Sequence, residues 1–348
     1  MNKMNAIVLR DLGGIENFSM DKVLIPDPKE GEVRILIKAA GFNPVDYKIR
    51  QGKYGDCTPL ILGADFSGII DKIGSGVDDF VIGEEVYGMV FGQGSNGTYA
   101  QYTCVPYQFV AKKPKHLSFA EAACVPLAAL SAYRAVSALM GLNSKEGSIF
   151  VAAAAGGVGS FAVQLIKHFH NDQIYTIAGS DETVSFLTKK LGIKKENIIK
   201  YDGLTESELK DKLIELNKNS LFVATFDFVG NSMKTLCVEL AGYSGHVISL
   251  VAEESKSQIS TWSNNSPYFQ RNLSAHAIFV GAEAYSEKKE TWGIYHEHLT
   301  HITRLLDEKI INIPAYNLLG GLEVDIVSKA HSLLESGRVR GKLVMLVD

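Results

Sequence analysis

A strand-to-helix turn near the middle of the chain has the residue types of a dinucleotide-binding loop. It reads Ala154-x-Gly156-x-x-Gly159, the usual glycine pattern with alanine at its first position, between the apolar run SIFVA and the helical pattern SFAVQLIKHF. Gly156 would let the backbone approach a pyrophosphate, Gly159 would let the helix pack on the strand, and the N–H groups that open the helix favour an anion. The alternative interpretation is a small-residue turn between two buried elements that binds no ligand.

The end of the next strand bears on which dinucleotide binds. Gly179 and Ser180 end the strand QIYTIAG, at the position where an NAD site usually has an acidic residue for the ribose hydroxyls. A small neutral hydroxyl leaves room for a 2′-phosphate and favours NADPH. Asp181 and Glu182 follow immediately, and the next basic residue along the chain is Lys189, which argues in the other direction.

The elements that must position this loop alternate between strands and helices from about residue 118 onward. Strands such as SIFVAA, QIYTIAG and LFVATFDFVG are separated by helical patterns of roughly ten residues, which predicts right-handed βαβ crossovers and a parallel sheet. Residues 1 to about 120 instead consist of short apolar bursts bounded by Gly, Pro and Asp, as in a compact β-rich domain. The sequence therefore predicts an α/β protein of two domains.

Composition excludes several classes of partner. The chain has 348 residues and a net charge of −4, so it lacks the basic surplus that nucleic acid or an anionic membrane would need. Neither a signal peptide nor an apolar run long enough to span a bilayer is recognisable, and we expect a cytoplasmic protein without membrane association. The four cysteines match no disulfide or metal spacing and are predicted to be reduced thiols.

Several stretches resemble one family in the same order along the whole chain. They are AAGFNPVDYKIRQG, PLILGADFSGIIDKIGSGV, GEEVYG, GTYAQYTCVP, KPKHLSFAEAACVPLAALSAYRA, AAGGVGSFAVQLIK and LLESGRVRGKLV. Together they resemble the medium-chain dehydrogenase/reductase superfamily and, within it, the zinc-independent quinone oxidoreductase (zeta-crystallin-like) branch. The resemblance implies an α/β fold with a Rossmann doubly wound parallel sheet over residues 123–285. A GroES-like, partly open β-barrel catalytic domain would comprise residues 1–122 and 286–348.

The resemblance also implies that no metal is bound. Zinc alcohol dehydrogenases of this superfamily have a cysteine ligand where this chain has Asn43, and a His-Glu pair where it has Ala64-Asp65. Neither Asn nor Ala provides the thiolate or imidazole that zinc prefers. Without zinc, the easier reaction is hydride delivery to an electron-poor acceptor, such as a quinone or an activated enone.

Site residues carry over from the resemblance one by one. Asn43 and Tyr54 match polar groups that line the quinone side of the pocket, and Lys48 matches a lysine that could stabilise an enolate in enone-reducing relatives. Each has a structural alternative: a turn cap for Asn43, a surface aromatic for Tyr54 and a solvated charge for Lys48. Thr183 departs from the pattern, because many relatives have a lysine there that binds the 2′-phosphate. The implied cofactor-binding residues are Ser131, Gly156, Gly157, Val158, Gly159, Gly179, Ser180, Tyr201, Val229, Gly230, Val251, Phe279, Gly281 and Lys342.

The function predicted from these features is NADPH-dependent hydride transfer to a quinone. Two alternatives stay open: an NADPH-dependent reductase of enones or enoyl thioesters, for which Lys48 is the hint, and a non-catalytic NADPH-binding sensor. The resemblance further implies a homodimer with a small-molecule quinone or enone as its acceptor. A sensor would bind NADPH without transferring a hydride.

Overall fold

The computed structural model describes residues 2–91, 97–139, 147–170, 173–252, 263–286 and 288–347. The chain forms two compact units, Met1–Leu130 with Val280–Asp348, and Ser131–Phe279. The first unit extends past residue 122 because the Leu127 N–H donates to the Asp65 carboxylate at 2.8 Å. It begins again before residue 286 because the Tyr295 hydroxyl donates to the Val280 carbonyl at 2.7 Å.

The described residues contain sixteen strands and ten α-helices, labelled here in chain order. The strands are β1 Lys3–Leu9, β2 Phe18–Leu24, β3 Glu32–Phe42, β4 Leu60–Ile61, β5 Asp65–Ile73, β6 Glu85–Met89, β7 Tyr102–Pro106, β8 Val110–Lys112, β9 Ile149–Val151, β10 Ile174–Ala178, β11 Ile198–Lys200, β12 Phe222–Asp227, β13 Ala241–Ser249, β14 Ser274–Ala277, β15 Tyr316–Leu318 and β16 Lys342–Leu346. The helices are α1 Pro44–Arg50, α2 Phe119–Ala122, α3 Pro126–Ser137, α4 Gly157–Phe169, α5 Asp181–Lys189, α6 Glu206–Leu216, α7 Ser232–Leu240, α8 Pro267–Gln270, α9 Gly293–Asp307 and α10 Val324–Glu335.

The unit that contains both chain ends is built on a mixed sheet around β3. Strand order is β15-β16-β3-β5-β6-β8, β7 also pairs with β3, and β2-β1-β4 form a smaller sheet. Val33, Ile35 and Ile37 alternate with less buried residues along β3, the period of two that a strand with one covered face requires. The closing strand β16 pairs antiparallel with β3, which returns the C-terminal residues to the sheet begun near the N-terminus.

The other unit is a parallel sheet with the order β11-β10-β9-β12-β13-β14. Every neighbouring pair in it is parallel, and the order reverses beside β9, as in the doubly wound dinucleotide-binding fold. Rings of Phe150, Tyr175 and Phe222 from three strands pack together on one face. The predicted α/β class, with a Rossmann-type parallel sheet in one unit and a GroES-like domain in the other, is confirmed.

Two further predictions from the sequence concern membrane-spanning segments and the state of the cysteine side chains. Among the described residues, none of the helices has the length and apolar character needed to cross a bilayer. All four cysteines are free thiols, and burial raises the pKa of Cys104 and of Cys124 to about 12. At that pKa neither thiol forms the nucleophilic thiolate near neutral pH.

Candidate functional site

The glycine loop leads from β9 into α4 at the point where the strand order reverses. Gly156 is the extended N-cap residue, and the first helical bond runs from the Ser160 N–H to the Gly156 carbonyl at 2.9 Å. The N–H groups of the first turn therefore have no acceptor within the helix. A methyl group on Gly159 would overlap the Ala153 carbonyl, so glycine is needed for this close approach. The loop presents backbone donors at a helix N-terminus, which is the arrangement that suits a pyrophosphate.

The neighbouring strand ends bring together Gly179, Ser180 and Tyr201. The Tyr201 hydroxyl lies over Gly179, 2.8 Å from where a Cβ atom would stand, and its ring is 45% exposed. Ser180 is the N-cap of α5: its Oγ accepts from the Thr183 N–H at 3.2 Å and lies 3.2 Å from Thr183 Oγ1. The structure also places Lys200, which the sequence analysis did not consider, at the end of β11 beside these residues.

The ends of β12 and β13 are joined by one buried carboxylate that sequence reasoning missed. Asp227 Oδ1 accepts from the Val229 and Gly230 N–H groups at 3.0 and 2.7 Å, and Oδ2 accepts from the Ser249 hydroxyl at 2.7 Å. Gly230 has φ of +87°, and a Cβ there would lie 2.7 Å from Cγ1 of Val251. The structure thus brings Val229, Gly230 and Val251 together, with Asp227 fixing the turn that holds them.

Three remaining cofactor candidates lie at separate places. Ser131 is buried in α3, and Phe279, the last residue of the parallel-sheet unit, keeps a 57% exposed side chain. Gly281 is buried in the other unit, where its carbonyl accepts from the Tyr285 N–H at 3.1 Å.

A buried polar cluster joins Asn43, Asp65 and Lys342 in the unit built around β3. The Lys342 ammonium donates to Asn43 Oδ1 at 2.5 Å and to Asp65 Oδ2 at 2.9 Å, and the Asn43 amide donates to the same Asp65 oxygen at 2.9 Å. The second Asp65 oxygen accepts the Leu127 N–H. Both polar atoms of the Asn43 side chain are therefore engaged, and a cation already lies against the two oxygens.

A second buried chain of hydrogen bonds runs from the same turn to α10. Asp46 Oδ2 accepts from the Asn43 N–H at 2.8 Å and from the Tyr99 hydroxyl at 3.0 Å. His331 Nε2 lies 3.3 Å from that hydroxyl, and Arg50 Nε donates to His331 Nδ1 at 3.3 Å. Because Nδ1 accepts, the proton sits on Nε2 and the imidazole is neutral.

Burial shifts the pKa values of Asp46 and His331 in opposite directions. It raises the pKa of Asp46 to about 7, since the charged carboxylate loses its hydration. It lowers the pKa of His331 to about 3, and the nearby Arg50 cation adds to that effect. Asp46 also completes the capping box at the start of α1. Its hydrogen bond to the Asn43 backbone therefore helps to position Asn43.

Lys48 and Tyr54 stand apart from the buried cluster. Lys48 is half-buried on α1, and its ammonium has no hydrogen-bond or ion-pair partner in the part of the chain that the structure describes. Tyr54 follows the end of α1 in a turn, with 55% of its side chain exposed. The structure brings Asn43 and Lys342 together, while Lys48 and Tyr54 make no recorded side-chain contact with them.

The residues present fit a dinucleotide and do not fit zinc. The loop around Gly156 and Gly159 offers backbone donors and space, whereas Asn43 and Asp65 present oxygens that already accept from an ammonium. Zinc sites favour thiolate and imidazole ligands, and no group of three or more His, Cys, Asp or Glu side chains among the described residues could hold a metal ion.

Comparison with known proteins places the chain among oxidoreductases. The model of the alcohol dehydrogenase GroES-like domain matches residues 29–115. The 2-methylene-furan-3-one reductase of Solanum lycopersicum is 32% identical over 99% of this chain and 79% of its own length. The chloroplastic NADPH-dependent alkenal/one oxidoreductase of Arabidopsis thaliana is 34% identical over 71% of this chain and 62% of its own length. The quinone oxidoreductase structure from Coxiella burnetii, 27% identical, superposes with a TM-score of 0.81 and covers 100% of both chains.

The chain therefore belongs to the medium-chain dehydrogenase/reductase superfamily, as the sequence resemblance implied. It is an oxidoreductase of the pyridine-nucleotide-dependent fold that this superfamily shares.

Proposed function

We propose that this protein transfers a hydride from NADPH to a conjugated carbonyl acceptor, without a metal ion. The observation that carries the proposal is the buried cluster of Lys342, Asn43 and Asp65. At the positions where zinc dehydrogenases hold their metal, an ammonium takes both oxygens at 2.5 and 2.9 Å. Because no Lewis acid activates the acceptor there, the acceptor must be electron-poor by its own conjugation.

Bound NADPH would supply the hydride. The residues of this protein would bind and orient the cofactor and the acceptor, and would stabilise the charge that develops on the acceptor. The α4 N-terminus would hold the pyrophosphate, and Asp227 fixes the backbone of Val229 and Gly230, which would hold the nicotinamide. When the β-carbon of the acceptor receives the hydride, the double-bond electrons move to the carbonyl oxygen as an enolate. The ammonium of Lys48 stabilises that charge, and water then protonates the α-carbon.

Two acceptor classes fit this chemistry, and the relatives favour one of them. The relative that matches 99% of this chain is named for reduction of a 2-methylene-furan-3-one, and the Arabidopsis relative is named for alkenals and alkenones. We therefore place the α,β-unsaturated carbonyl first. The quinone predicted from the sequence is the second candidate, and it is supported by the likeness to the Coxiella structure.

The test follows NADPH absorbance with an exocyclic enone and an ortho-quinone as parallel acceptors, and NADH as the control cofactor. We expect enone-dependent oxidation of NADPH, reduced about 10-fold or more in Lys48→Met because the enolate loses its cation. Lys329→Met, at an exposed site on α10, is the matched control and should keep the wild-type rate. Oxidation with the quinone alone would move the assignment to the second candidate. Tight NADPH binding without turnover of either acceptor would contradict the proposal and favour a sensor.

A further inference from the structure

Three polar side chains near the ends of β10 and β11 are neutral, whereas a 2′-phosphate needs positive charge. Ser180 Oγ is engaged as the cap of α5, Thr183 contributes a second hydroxyl, and Tyr201 contributes a phenol. Three carboxylates, Asp181, Glu182 and Asp202, act electrostatically on the same region. These groups by themselves would repel a phosphate that carries nearly two negative charges.

Strand pairing brings one cation into this region. In the parallel ladder, Lys200 is the partner of Ala178, the residue that precedes Gly179 and Ser180. The Lys200 ammonium donates to Asp181 Oδ1 at 2.9 Å, across from the end of β11 to the start of α5. This contact raises the pKa of Lys200, so the ammonium is fully charged at neutral pH.

We propose that Lys200 is the specificity-determining residue that binds the 2′-phosphate of NADPH. The inference rests on the proposed function, because it assumes that the chain uses a phosphorylated dinucleotide. Lys200 contacts Asp181, the residue that follows Ser180, and it directly precedes Tyr201 in the chain. A lysine acts on a phosphate as a point charge, so it needs proximity rather than a fixed planar geometry.

Asp181 is the internal competitor for the same ammonium. The pair is exposed, with 46% of the Lys200 and 82% of the Asp181 side chain accessible, so solvent and salt weaken it. A phosphate carries more charge than a carboxylate and displaces it from Lys200. Asp181 therefore holds the ammonium near the strand end in the free protein and limits how strongly the 2′-phosphate is preferred.

The experiment measures NADP⁺ and NAD⁺ binding to the full chain by titration calorimetry. We expect Lys200→Met to weaken NADP⁺ binding by about 10- to 100-fold, the range for losing one charged hydrogen bond, and to leave NAD⁺ binding within about twofold. Lys195→Met removes the same charge from the 3₁₀ turn that precedes β11 and should change neither affinity. Thr183→Lys combined with Lys200→Met should restore NADP⁺ binding, because residue 183 also borders Ser180.

Three results would overturn the inference, and they separate it from the function it rests on. Wild-type affinities for both NADP⁺ and NAD⁺ in Lys200→Met would show that another group binds the phosphate. A wild-type protein that binds both dinucleotides equally would remove the 2′-phosphate site and the NADPH element of the proposed function together. Equal weakening of both dinucleotides in Lys200→Met would assign Lys200 a structural role.

Discussion

Two lysine–aspartate ion pairs with the same N–O distance of 2.9 Å lie in opposite surroundings in the two units. The side chains of Lys342 and Asp65 are 5% and 0% exposed, whereas those of Lys200 and Asp181 are 46% and 82% exposed. The buried pair cannot exchange partners without leaving a charge uncompensated in the core. The exposed pair can, because water and ions replace either partner at small cost. Equal N–O distances thus accompany a fixed structural pair in one unit and an exchangeable surface pair in the other.

Removing the buried Lys342 cation is expected to have the largest effect on stability. Lys342→Met leaves the Asp65 carboxyl group in the core without its cationic partner, and we expect a loss of about 3–5 kcal/mol in the free energy of unfolding. Urea unfolding followed by Trp292 fluorescence, in a Trp262→Phe background, reports on this unit because Trp292 packs on Phe109. Adding Asp65→Asn should recover part of the loss. A change below about 1 kcal/mol in the single variant would mean that the pair is not a structural element.

The shifted pKa values of Asp46 and His331, in the hydrogen-bonded series near this pair, make the stability of the protein depend on pH. The pKa of Asp46 is raised to about 7, so its contribution to stability is lost as the pH rises from about 4 to 7. The pKa of His331 is lowered to about 3, so its contribution is lost as the pH falls from about 6.5 to 3. The two slopes oppose each other over most of this window.

Asp46→Asn removes the first slope and keeps acceptors for the Asn43 N–H and the Tyr99 hydroxyl. The unfolding free energy of the variant should therefore rise more steeply than that of the wild type between pH 4 and 7, by about 3 kcal/mol in total. Urea titrations at half-unit steps of pH measure this difference. Parallel profiles for the two proteins would show that Asp46 is charged throughout the window.

The glycine loop offers a smaller effect that combines packing with binding. Gly159→Ala places a methyl group against the Ala153 carbonyl, and we expect a loss of about 1–3 kcal/mol together with weaker binding of both dinucleotides. Gly293→Ala is a suitable control, because a Cβ there meets no atom within 4 Å. Wild-type affinity in Gly159→Ala would mean that α4 need not approach the loop for the pyrophosphate to bind.

The exposed pair gives the smallest effect on folding and a distinct effect on binding. Asp181→Asn should leave the unfolding midpoint unchanged and strengthen NADP⁺ binding several-fold, because Lys200 loses its competing partner. Raising the salt concentration should reduce the advantage of NADP⁺ over NAD⁺ in both proteins. A lower unfolding midpoint in Asp181→Asn would place this pair with the buried one and remove the contrast.

Local patterns predicted the parts of the fold that depend on neighbouring residues. The glycine loop and the alternation of strands and helices are properties of short segments, and both are present around Gly156 and Gly159. The resemblance extended this to the GroES-like domain, and it named Asn43 and Lys342 in separate roles. The contact between them could not be read from the sequence, because it joins residues 299 positions apart.

The residues that sequence reasoning missed each make at least one contact with a separate segment of the chain. Lys200 reaches Asp181 through the parallel ladder of β10 and β11, although a search along the chain from Ser180 finds only Lys189 on the same helix. In the sequence, Asp227 has no feature that distinguishes it from other residues at strand ends; its role follows from the three hydrogen bonds that it accepts in the structure. Tyr99 and His331 meet from positions 232 residues apart. Polar residues within apolar strands and helices were the available sequence signal of buried hydrogen bonds. This signal does not show which residues form those bonds with one another.

The central claim, hydride transfer from NADPH to a conjugated carbonyl, is tested most directly by isotope tracing. The protein is incubated with an exocyclic enone and with NADPH that carries deuterium at C4, each of the two C4 stereoisomers in turn, and the product is analysed by mass spectrometry and NMR. We predict one deuterium at the former β-carbon from one stereoisomer and none from the other, with the α-hydrogen derived from water. Product without deuterium from either cofactor, or no product while NADPH stays bound, would contradict the account.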